Sequence, residues 1–148
     1  MVSDSLLDNH VLLASVLAWA LAQVSKTVGE IIKERRLVLS RLVSSGGMPS
    51  SHSALVTGLA TSVGRVMGIS SPAFAIAAVL AGIVMYDAAG VRRAVSIQAR
   101  ILNQMIDEAF QGHPFAEKRL RELIGHTPIQ VFVGGLLGIC VGLLATSY

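Results

Sequence analysis

Residues 129–148 read IQVFVGGLLGICVGLLATSY. The stretch carries no charge and reaches the roughly 20 residues that a bilayer-spanning helix needs. It lacks the strict alternation of a strand, so a helix is the expected conformation. Gly134, Gly138 and Gly142 recur at every fourth position. Small residues at that spacing form a ridge along which membrane helices approach closely. This one stretch makes the chain a candidate helical membrane protein.

The composition agrees. Apolar residues make up 53% of the 148, charged residues only 14%, and the mean hydropathy is +0.65. A soluble domain carries about a quarter charged residues. The length suits one domain, residues 1–148. The N-terminal MVSDSLLDNH has acids where a secretory leader needs bases, so no cleavable signal is expected. The lone Cys140 has no internal partner and reads as a small apolar residue. Three more apolar segments, 10–25, 53–68 and 72–86, precede the last one. Arg65 interrupts the second of them, and Ala78 and Gly82 repeat the small-residue spacing in the third. The predicted fold is all-α: a small helical membrane bundle of about four spanning helices.

Two basic regions separate the apolar segments. One carries Lys26, Lys33, Arg35, Arg36 and Arg41, and the other runs from Arg92 to Arg121. Four crossings place both on one side, which the positive-inside rule makes cytoplasmic. Within the second region Val91, Val95, Ile97, Ile101, Leu102, Met105, Ile106 and Phe110 fall close to a helical stripe. HPFAEKRLRELIGHTP, residues 113–128, reads as a second short helix. We expect an amphipathic pair at the membrane surface.

The same topology gathers polar residues at one end. The stretch 44–60, SSGGMPSSHSALVTGLA, opens the second segment. His52 lies there, Asp87 at the end of the third segment and His126 at the start of the fourth. Lys26 and Lys33 follow the first segment, and Arg92 and Arg93 follow the third. A helix N-terminus favours an anion through its dipole and its orphan amides. Gly46 and Gly47 permit close backbone approach, Ser50 and Ser51 offer hydroxyls, and Arg92 or Arg93 can add a bidentate fork to phosphate. Two histidines supply a nucleophile and a proton donor. Plainer roles exist for each. His52 can serve at a helix cap, Thr127 beside His126 can cap the last helix, and Asp87 can bridge to an arginine. Lys33, Arg35 and Arg36 can simply mark the positive side.

GGMPSSHSA, YDAAGVRRA, QARILNQ and ELIGHTPIQVFVGGLLG together resemble the divergent branch of the PAP2 phosphatases, relatives of acid phosphatases and vanadium haloperoxidases. The resemblance runs from about Lys26 to Gly138. It makes Pro49-Ser50-Ser51-His52 a counterpart of the Pro-Ser-Gly-His motif, with Ser51 in place of glycine. By this resemblance His52 is the general acid, Ser50 a phosphate ligand, His126 the nucleophile, and Arg92 or Arg93 the phosphate-binding arginine. Gln130 stands where the family pattern has an aspartate behind the nucleophilic histidine, and Asp87 is the candidate substitute. Lys26, Lys33, Gly47 and Ser51 complete the expected phosphate cradle.

The resemblance implies hydrolysis of a lipid or isoprenoid phosphate monoester through a phosphohistidine. It requires no metal or other cofactor, with vanadate a possible phosphate mimic. Expected partners are membrane lipid and a phosphorylated lipid substrate, with no nucleic acid, and a homodimer through the glycine ridges. The alternatives are a phosphate or headgroup binder without turnover, and a transporter or channel subunit.

Overall fold

The computed structural model describes residues 6–34, 47–109 and 126–146. Among these every regular element is a helix. A short 3-10 turn, Leu6–Asp8, precedes α1 (His10–Glu34), α2 (Ser51–Met67), α3 (Pro72–Ala89), α4 (Val91–Ala109) and α5 (Pro128–Ala145). Phe110 and the predicted helix after Pro114 lie outside the described residues.

Each start has a local cause. Asn9 caps α1, its side chain accepting from Leu12 N–H at 3.0 Å. Ser71 caps α3 by accepting from Phe74 N–H at 3.2 Å, with Pro72 in the first turn. Thr127 and Gln130 close a capping box over α5, again followed by proline. Gly68, at φ 85°, ends α2 in a backbone region that side chains disfavour.

Among the described residues three helical stretches are long and apolar enough to cross a membrane: His10–Gly29, Pro72–Asp107 and Pro128–Ala145. The second stretch joins α3 to α4 across Gly90. With 17 residues, α2 is shorter. It is nevertheless the centre of the bundle, packing against α1, α3 and α5.

The packing inverts the pattern of a soluble domain. The buried apolar residues are mostly alanine: Ala14, Ala18, Ala22, Ala54, Ala77 and Ala81. Leucine, isoleucine and phenylalanine side chains face outward, as at Leu17, Ile76, Ile83, Phe132 and Leu144. Among the described residues the largest fully buried side chains are serines, Ser50, Ser53 and Ser62. Small residues inside and large apolar ones outside suit a surrounding of lipid, where close backbone packing rather than water exclusion joins helices.

Register follows from the small residues. A Cβ on Gly138 would collide with the Thr57 hydroxyl and the Ala54 carbonyl, and one on Gly142 would lie 2.8 Å from Thr61 Cβ. One on Gly134 would collide with the Ser50 carbonyl. The contacts 134–50, 138–54 and 142–61 advance together, so α2 and α5 run parallel. Ser15 and Ala18 meet Gly58, and Ala22 clusters with Ala54, so α1 runs antiparallel to α2. Thr57 bridges α2 and α5, its Oγ1 lying 2.9 Å from the Gly135 carbonyl and 2.8 Å from that of Ser53. At the far end Arg65 Nε donates to the Thr146 carbonyl at 3.3 Å.

Candidate functional site

Because α2 and α5 are parallel neighbours, their N-termini share one end of the bundle. Ser50 N–H donates to the Gln130 carbonyl at 3.0 Å, tying the two starts together. His126 N–H donates to the Ala88 carbonyl at 3.3 Å, bringing the end of α3 to the same place. The antiparallel register carries α1 there too. Four residues beyond Ala22 lies Lys26, and four before Ala54 lies Ser50, so lysine and cap share a level. Lys26 is only 2% exposed. A long cationic side chain so enclosed is costly in a membrane helix and marks a functional candidate.

The start of α2 is densely bonded. Ser50 is the N-cap, and its hydroxyl oxygen accepts from Ser53 N–H at 3.4 Å and from Ser53 Oγ–H at 3.0 Å. Ser50 and Ser51 are both buried. Ser50 therefore acts in this structure as the cap that orients the helix end, with its backbone against Gly134. Gly47 precedes it at φ 92°, a left-handed conformation that glycine adopts without strain. His52, in the first turn of α2, is half-buried.

His126 is 2% exposed and stands one residue before the cap of α5. Gln130 controls its ring. The Gln130 Oε1 atom accepts from Thr127 N–H at 3.0 Å, which identifies that end of the amide as the oxygen. The same oxygen lies 3.2 Å from His126 Nδ1. An amide oxygen only accepts, so this contact is a hydrogen bond when Nδ1 carries the proton. In the neutral ring the lone pair then sits on Nε2. A capping box thus does two tasks: it closes α5 and selects a histidine tautomer. The spacing Thr127-Pro128-Ile129-Gln130 signals the box in the sequence; its contact with His126 is visible only in three dimensions.

Asp87 is half-buried in the last turn of α3, next to the Ala88 whose carbonyl holds His126. The backbones of Lys33 on α1 and of Arg92 and Arg93 on α4 are helical, while their side chains lie outside the described residues, as do Arg35 and Arg36 altogether. His52, Ser50, Ser51, Gly47, Asp87, His126 and Lys26 all belong to one end of the bundle. Among the described residues no group of three or more His, Cys, Asp or Glu side chains could hold a metal ion.

An outward-apolar helical bundle with a polar cluster at one end defines an integral membrane protein. The chain matches the Divergent PAP2 family over residues 7–141 and belongs to that family. It is 45% identical over 154 aligned residues to the "Uncharacterized membrane protein YuiD" of Bacillus subtilis (strain 168), covering 97% of this chain and 98% of that protein. No solved structure matches it.

Proposed function

We propose that this chain is a membrane phosphatase-like protein that hydrolyses a phosphate monoester borne by a lipid or isoprenoid. The observation that carries the reading is the buried His126, whose ring is oriented by Gln130 so that Nε2 keeps its lone pair. It shares its end of the bundle with His52 and Lys26.

Nε2 of His126 attacks phosphorus, and the bond between phosphorus and the lipid oxygen breaks. Protonated His52 gives its proton to the departing oxygen. Water then attacks the phosphohistidine while His52 takes a proton, releasing inorganic phosphate and restoring both rings. The N-terminal dipole of α2, with Gly47, Ser50 and Ser51, and the cations Lys26, Lys33 and Arg92 or Arg93 hold the phosphoryl charge. Asp87 is the carboxylate assigned to the imidazolium side of the cycle. In this reading all four long segments cross the bilayer and the site faces the cytoplasm, where the basic regions lie.

One observation favours a second reading. The group on His126 Nδ1 is a neutral amide, which orients an imidazole but stabilises imidazolium less than a carboxylate does. A phosphate or headgroup binder without turnover needs only the cradle.

Phosphate release by the purified full chain in detergent separates the two. The panel is phosphatidate, phosphatidylglycerophosphate and an isoprenyl monophosphate, with His52→Ala and His126→Ala beside the parent. We expect turnover on at least one substrate, reduced at least 100-fold by either substitution. Absence of turnover across the panel, with vanadate bound in a His52-dependent manner, would establish the binder instead.

A further inference from the structure

The apolar stretch Pro72–Asp107 is 36 residues long. A straight helix of that length measures about 54 Å, against a hydrocarbon core of about 30 Å. α3 ends at Ala89 and α4 begins at Val91, with Gly90 between them. α3 alone, 18 residues, covers about 27 Å. α4 is a poor second crossing, since Arg92, Arg93, Arg100, Asp107 and Glu108 all lie within its 19 residues, and charges at the bilayer centre are costly.

The burial of α4 is lopsided. Among the described elements α4 packs only on α3. Ala99 and Asn103 are buried on a narrow flank. Val91, Val95, Leu102, Met105 and Ile106 are all exposed, and at 100° per residue they share one arc. Ser96, Arg100, Gln104 and Asp107 fall on the opposite arc. α4 follows directly on α3, whose outward residues Ile76, Val79, Ile83 and Tyr86 are exposed. That face belongs to a membrane-crossing helix, so the stripe starts where lipid already covers the protein.

We infer that α4 is an interfacial helix, seated in the leaflet at the His52–His126 end with Val91, Val95, Leu102, Met105 and Ile106 among the acyl chains. The occupant of the stripe is the lipid of the bilayer that α3 crosses. A large apolar arc opposite a charged one is the pattern of helices that lie in the interface plane. Seating α4 in that plane requires the chain to turn at Gly90, the junction of the two helices, two residues from the Ala88 carbonyl that holds His126. The leaflet surface therefore sits at the level of the candidate site. This inference is independent of whether phosphate is hydrolysed there.

The test uses the full chain in phospholipid nanodiscs, with Cys140→Ser as background. Nitroxides are placed singly at Leu102 and Ile106 on the stripe, and at Arg100 and Asp107 opposite. Collision with oxygen, which concentrates in lipid, is compared with collision with a water-soluble nickel chelate. We expect stripe labels to favour oxygen at least five-fold more than the opposite pair. Stripe labels shielded from both reagents would show that protein, such as a second copy, covers the stripe, and would overturn the inference. Stripe labels open to nickel would place α4 in water and overturn it as well. Unchanged thermal midpoints among the four labelled proteins show that the labels report on a folded chain.

Discussion

The inward face of α5 and the outward face of α3 carry the same small-residue spacing and meet opposite surroundings. On α5, Gly134, Gly138 and Gly142 are buried against α2, close enough that a single methyl at the first two would overlap backbone or hydroxyl atoms. On α3, Ala78 and Gly82 are exposed, and a Cβ at Gly82 would meet nothing within 4 Å. The difference lies in what faces the ridge. α2 presents Ser50, Ala54, Thr57 and Gly58 to α5, small residues whose carbonyls and hydroxyls can be approached closely. Small-residue spacing therefore permits contact without choosing the partner. The ridge of α5 is taken up within the chain, whereas the one on α3 faces outward.

Four substitutions probe this contrast. Gly138→Leu should be the most damaging, because α2 and α5 would have to separate. We expect a loss of at least about 3 kcal/mol, read as a collapse of the thermal midpoint in detergent; an unchanged midpoint would break the assigned register. Gln130→Ala, at the start of the packed face, removes the capping box and should cost about 1 kcal/mol. Nitrogen-15 NMR should also show His126 losing its single Nδ1–H tautomer, a change that a purely structural loss would not produce. Thr57→Val deletes the bridge to the Gly135 carbonyl while keeping the shape, and should cost about 0.6–1 kcal/mol in a denaturant titration. Gly82→Ala should be neutral or gain up to about 1 kcal/mol, because alanine favours the helix and nothing obstructs its methyl. A clear loss at Gly82 would mean that the open ridge is occupied in the membrane.

The helices and their order were legible in the chain because apolar length, proline and capping residues are local signals. Ser50, Ser71 and Thr127 each stand where a helix starts, and Gly68 where one stops. The stripe of α4 was legible in outline, since periodicity needs no partner to be seen, although Ile97 and Ile101 fall off the arc that Val91, Val95, Leu102, Met105 and Ile106 share. The polar end was legible as a list of residues: His52, Asp87, His126 and Lys26 could be assigned to one side by counting crossings. Their mutual arrangement was not. Nothing in the spacing of Gln130 and His126 says that the amide which caps a helix also turns toward the imidazole.

What the sequence determined by itself is the class of structure, helices in a membrane, because a bilayer admits apolar helical segments almost regardless of their neighbours. What the tertiary structure decided is which small surfaces are buried and which side chains act together. The parallel pairing of α2 and α5 uses one glycine ridge and leaves the other open. It also sets two helix starts side by side, and with them Ser50, Gln130 and His126. The physical reason is range: propensity and capping act within a turn or two, whereas close packing depends on two surfaces that are distant in sequence fitting one another.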